Sequence, residues 1–236
     1  MKSSYLLAIN LIFVALIGNP FVGASEQAVP LRGQYAQIDT ERELRAIKAL
    51  TEGDDAIRQR WAEKIENHSD RFAPAVFFHL ASYLFEQGEE EDALFWLYTG
   101  RIRTRFDIER CTDRSVVDAV EALSQQVPPL LRLIQFEDLD IAQELLEAAV
   151  EWDRTTEHNY DPRWIALHGL GAFKPAPTPG TEESLTVPEE SWKKLAKRVR
   201  KDYAEHYFDF LDDLTDDQHE QIAAKISELR ELQERN

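Results

Sequence analysis

The chain has 236 residues, carries 44 Asp plus Glu against 27 Lys plus Arg, and has a formal net charge of −17. A field that negative repels nucleic acid and anionic membranes and favours basic partners. The single cysteine, Cys111, excludes an intramolecular disulfide and any cysteine-pair zinc site, so an exported form has to be stabilised by its apolar core, with Cys111 expected as a buried thiol.

Residues 1–24 read as an export signal. Lys2 gives the positive start, Tyr5 to Ile17 form an apolar run broken only by Asn10, Gly18-Asn19-Pro20 ends it, and Val22-Gly23-Ala24 fits a signal-peptidase site. The run is about 13 residues, short of the roughly 20 that span a bilayer. A periplasmic or secreted product with no stable membrane insertion after cleavage is expected. Residues 25–173 are expected to form a helical, repeat-like domain and 174–187 a Pro-rich loop containing Pro175, Pro177, Pro179 and Gly180. Residues 188–236 then read as a C-terminal helical hairpin packed on the same domain.

Helical periodicity fills most of the chain after an arm at 25–38. Leu44, Ile47 and Leu50 mark a first helix, with Thr40 and Glu43 spaced as a capping box. Asp54 or Asp55 opens a second, on which Ile57, Trp61 and Ile65 recur every four residues. A third spans about Pro74 to Gln87 and ends at Gly88, suited to a left-handed C-terminal position. The fourth begins among Glu89-Glu90-Glu91-Asp92, where acids suit the helix dipole, and runs towards Arg105. A fifth follows Asp113 and stops before Pro128-Pro129. A short apolar piece from Leu130 to Phe136 precedes a helix from Leu139 to Trp152, and Asp161-Pro162 caps a short helix ending near Gly169. Two last helices, about 188–213 and 216–234, start at Thr186 with Glu189 and at Thr215 with Gln218. No alternating strand pattern of useful length occurs, so the expected fold class is all-α: antiparallel helical hairpins, TPR/Sel1-like or an irregular helical bundle.

The segment from Phe78 to Gly88, followed by Asp92-Ala93 and Trp96-Leu97-Tyr98, resembles one unit of a Sel1-like or tetratricopeptide repeat over about residues 74–105. In those families a small residue, here Ala81, lets the second helix pack closely, a large one follows at Leu84-Phe85, and a glycine ends the first helix. The resemblance implies a scaffold that binds protein or peptide. A second stretch, with Ala142 and Leu145-Leu146, lacks the glycine and the aromatic pattern.

Arg101, Arg103, Arg105, Arg110 and Arg114 crowd one short stretch of an acidic chain and suit carboxylate or phosphate recognition, unless Asp107, Glu109 and Asp113 neutralise them internally. Lys193, Lys194, Lys197, Arg198, Arg200 and Lys201 form the polar side of an amphipathic helix expected to pack on the core. Asp209, Asp212, Asp213, Asp216 and Asp217 follow and offer a surface for a basic protein. No metal site is expected: the six histidines include no helical zinc pair, although His158, Asp161 and His168 share one short region. No Gly-x-Ser-x-Gly elbow or glycine-rich phosphate loop occurs, so neither a catalytic set nor a cofactor is indicated. These features point to an exported, acidic interaction module with a basic protein partner, of the adaptor or immunity-protein kind. The alternatives are a carboxylate-dependent periplasmic hydrolase, which requires two acids in a cleft with a raised pKa, and a carrier of a small anion on the Arg101–Arg114 cluster.

Overall fold

The 21-residue helix Glu90–Arg110 is buried on most of its faces, as its poor amphipathicity requires of a helix at the centre of a fold. The structure, a computed structural model, describes residues 31–174 and 183–235. The export signal expected over 1–24 and most of the Pro-rich loop lie outside the described residues. The α-helices are α1 (Glu41–Glu52), α2 (Asp55–Asn67), α3 (Ala75–Glu86), α4 (Glu90–Arg110), α5 (Ala119–Ser124), α6 (Pro129–Leu133), α7 (Leu139–Thr155), α8 (Trp192–Asp212) and α9 (Asp216–Glu234), joined in several places by single 3-10 turns. The fold is all-α. Among the described residues the only β-type pairing is an isolated bridge between Cys111 and Thr186, and no helix is long and apolar enough to cross a membrane.

α3 and α4 fold back on each other around Gly88, which adopts φ +83°, and the amide of Glu89 donates to the Leu84 carbonyl at 3.0 Å to close the end of α3. α4 then meets α7, α8 and α5 on its other sides, while α1 and α2 pack on each other and on α3. Trp96 and Trp152 stack edge-on at 5.4 Å, with Phe77 and Phe95 against both, joining α3, α4 and α7. Gly100 of α4 lies so close to Phe78 of α3 that an added Cβ would stand 3.1 Å from its ring.

Several starts fall where the side chains place them. Asp54 accepts from the Ile57 amide at 2.9 Å, Asp138 from Ile141 at 3.1 Å, Asp161 from Arg163 at 2.9 Å, and Thr215 with Gln218 forms a full capping box. Two expected caps do not form. Thr40 makes no side-chain cap; Glu43 instead turns inward and accepts from the Ala73 amide at 3.3 Å, because α1 rotates to bury Glu43, Ala46 and Leu50 and leaves Leu44 exposed. Thr186 does not open α8 either: its neighbours Leu185 and Val187 bond the backbone of Thr112 and Arg110 across the bridge to Cys111, which keeps this segment extended, and α8 begins at Trp192 after a 3-10 turn. Cys111 is buried, and burial pushes its thiol above the ordinary range.

Candidate functional site

The arginines of residues 101–114 do not act as one cluster, because the helical period of α4 sends them to opposite sides. Arg103, Asp107 and Arg110 point inward. Arg103 Nε donates to Asp153 Oδ1 at 2.9 Å, and its Nη2 donates to the Thr156 and Glu157 carbonyls at 3.0 and 3.2 Å. Asp153 also accepts from Arg200 Nη1 of α8 at 2.8 Å and lies 3.1 Å from His158 Nε2. Burial disfavours its charge, but His158, Arg103 and Arg200 outweigh that and hold its pKa well below the usual carboxylate range.

A second internal group surrounds Asp107, which accepts from the Tyr160 hydroxyl at 3.0 Å and from Trp164 Nε1 at 2.6 Å. Arg110 Nη2 lies 2.6 Å from Asp107 Oδ1 as a buried ion pair. Its guanidinium is flanked by the rings of Phe106 at 4.6 Å and Trp192 at 4.7 Å, which meet its faces where no acceptor does. These buried pairs hold α4, α7, α8 and residues 160–164 in register. Of the acids expected to neutralise the cluster, Asp107 does so, whereas Glu109 pairs with Arg198 and Asp113 accepts from the Ser115 and Gly171 amides.

Arg101 and Arg105 face the other way, into an open groove of about 710 Å³ between α4, α5 and α8. Arg101 Nε donates to Ser124 Oγ at 3.3 Å; the Arg105 guanidinium lies 4.6 Å over the Tyr203 ring. The Tyr98 and Tyr207 hydroxyls stand 2.5 Å apart beside them, and Tyr98 also donates to Gln135 Oε1 at 3.4 Å. Burial pushes the Tyr207 hydroxyl up to about 12, so the pair is neutral at any physiological pH. Phe136 and Phe210 close one end, 6.0 Å apart edge-on. Arg114 is exposed and does not line the groove.

The C-terminal end of α8 and the start of α9 form an acidic corner. Asp209, Asp212, Asp213, Asp216 and Asp217 are all exposed there, and none joins an ion pair among the described residues. Asp216 and Asp217 occupy the first turn of α9, where the helix dipole accommodates their charge.

The other sequence candidates are dispersed. His158 belongs to the Asp153 group, Asp161 is held by Arg163, and the His168 ring packs on Trp164 at 5.3 Å. Among the described residues no group of three His, Cys, Asp or Glu side chains is placed to hold a metal. Burial raises the carboxyls of Glu43 and Glu66, but neither lines the groove. The groove tyrosines and Gln135 escaped the sequence reading, since Tyr203 and Tyr207 look there like ordinary members of an apolar stripe. The available signal was the four-residue spacing of Arg101 and Arg105, which places the two on one face and sets them apart from Arg103 and Arg110. Comparison of the chain with protein-family models, with curated proteins and with solved structures finds no match.

Proposed function

We propose that this chain is an acidic helical binding module that docks a basic protein through the corner between α8 and α9. One observation carries the reading: Asp209, Asp212, Asp213, Asp216 and Asp217 lie exposed on the last turn of α8 and the first turn of α9, with no cation paired to any of them among the described residues. Five like charges so close together raise one another's electrostatic energy, and a partner's lysines or arginines relieve it. The capping box at Thr215 fixes the geometry of the turn, so the corner is presented in a defined shape. The sequence of residues 1–24 supports an exported adaptor or immunity role, and the repeat-like pattern of residues 74–105 suits a scaffold.

The test is affinity capture from the native host with the processed protein and with a variant carrying Asn at all five positions. A single stoichiometric partner that salt releases and the variant fails to retain supports the proposal. Equal capture by both proteins, or none by a folded bait, overturns it.

A further inference from the structure

Most arginines set into this fold pair with a carboxylate, whereas Arg101 and Arg105, like Arg132, do not. Arg58 pairs with Glu86, Arg103 and Arg200 with Asp153, Arg110 with Asp107, and Arg230 with Glu90 and Glu137. Arg101 and Arg105 are half-buried, stand one turn apart, and form no ion pair with a carboxylate among the described residues. Their partners are a serine hydroxyl, a tyrosine ring and a backbone carbonyl, all uncharged. Burial disfavours the charged form of Arg105 and outweighs the opposing pull of Tyr203 and Glu121, and Arg101 beside it adds to the effect. Two adjacent guanidiniums held this way keep donors free for an anion, and paired donors suit a carboxylate.

The remainder of the groove narrows the choice. Its walls are Phe136, Tyr203, Tyr207 and Phe210, and Phe210 is 50 % exposed although it is a phenyl side chain, so an apolar body laid in the groove removes that surface from water. Its lining also carries the Arg198–Glu109 ion pair and the acids Asp118, Glu121 and Asp202, whose repulsion grows with each added negative charge and so favours a monoanion over a dianion. The volume of about 710 Å³ suits a small molecule. We infer that the groove between α4, α5 and α8 is a binding site for a small monocarboxylate with an apolar body, its carboxylate held by Arg101 and Arg105 and its body against Tyr203, Tyr207 and Phe210.

Isothermal titration of the purified protein with phenylacetate and with octanoate tests this, with phenylacetamide and inorganic phosphate as comparisons. The expected result is saturable binding of at least one of the two acids, with Kd about 1 mM or tighter. Phenylacetamide and phosphate should then bind at least about tenfold more weakly. Arg105→Gln is expected to weaken the acid by about tenfold or more, and Arg114→Gln, exposed and outside the groove, to leave it unchanged. Circular dichroism checks that the variants fold. Should Arg105→Gln not fold, Arg101→Gln decides, because it removes only the contact with Ser124. Failure of both acids to saturate, equal binding of acid and amide, equal binding of phosphate, or indifference to loss of the groove arginine overturns the inference.

Discussion

Arg103 and Asp153 form an ion pair inside the protein, Nε to Oδ1 at 2.9 Å, with neither side chain more than 1 % exposed. The same carboxylate serves Arg200 and His158, so two guanidiniums rely on one buried anion. Asp153→Asn keeps the shape and removes the charge, leaving Arg103 uncompensated. We expect a loss of about 3–5 kcal/mol in urea unfolding at pH 7. Glu151→Gln, which breaks the exposed pair with Arg154, should leave the urea midpoint nearly unchanged. Similar effects for the two variants would contradict an interior role for Asp153.

Acid should weaken the fold well before the carboxylates titrate. Burial lowers His79 and His168 from 6.5 to about 4, so both are neutral in the folded chain at pH 5. The unfolded chain takes up protons on each below pH 6.5 and therefore binds more of them than the folded one. Stability consequently falls as pH drops from about 6.5 towards about 4 and levels off below that for these two groups, by roughly 3 kcal/mol for each at pH 4. Urea midpoints between pH 7 and 4 measure the slope, and His79→Phe should flatten it. An unchanged slope would rule out a contribution from His79.

Gly100 permits the close approach of α3 and α4. A valine there gains helix propensity over glycine but drives its branches into the Phe78 ring, already only 3.1 Å from an added Cβ. Overpacking should outweigh propensity, and Gly100→Val should destabilise by about 1–3 kcal/mol in chemical unfolding. A stabilised variant would mean that Phe78 moves aside freely.

α9 is held differently from the rest, with Ile226 as its buried residue and Arg230 clamping it to Glu90 of α4 and to Glu137. Thr215→Ala removes the cap at a cost of about 1 kcal/mol. The effect should be local: amide exchange across α9 accelerates while amides of α3 and α4 keep their protection. Uniform acceleration would show instead that α9 unfolds only with the core.

Local chemistry made most of the helices legible in the sequence. Asp54, Asp161, Gly88 and the Thr215–Gln218 pair act through neighbours a few residues away, and each lies where its own chain can use it. Glu43 and Thr186 were not legible for the opposite reason. Glu43 is drawn to Ala73, and the segment around Thr186 to the backbone beside Cys111; both are distant in sequence, and such tertiary contacts override a local cap. The site divides in the same way. Arg101 and Arg105 can be set apart from Arg103 and Arg110 by helical angle alone. Asp153, His158, Tyr160 and Trp164, which occupy the inward pair, arrive from other elements and leave no mark near residue 103.

Because Arg101 and Arg105 share a rigid helix with Arg103, Asp107 and Arg110, the rotational setting of α4 is fixed from within and displayed at the groove. Asp153 and Asp107 act as keys in a lock: any turn of the helix about its axis would break their contacts before the outer guanidiniums had swung far. A substitution deep in the interior, remote from solvent, would therefore re-aim the groove donors without touching one of them. Tuning of this surface across variants should appear as changes inside the protein.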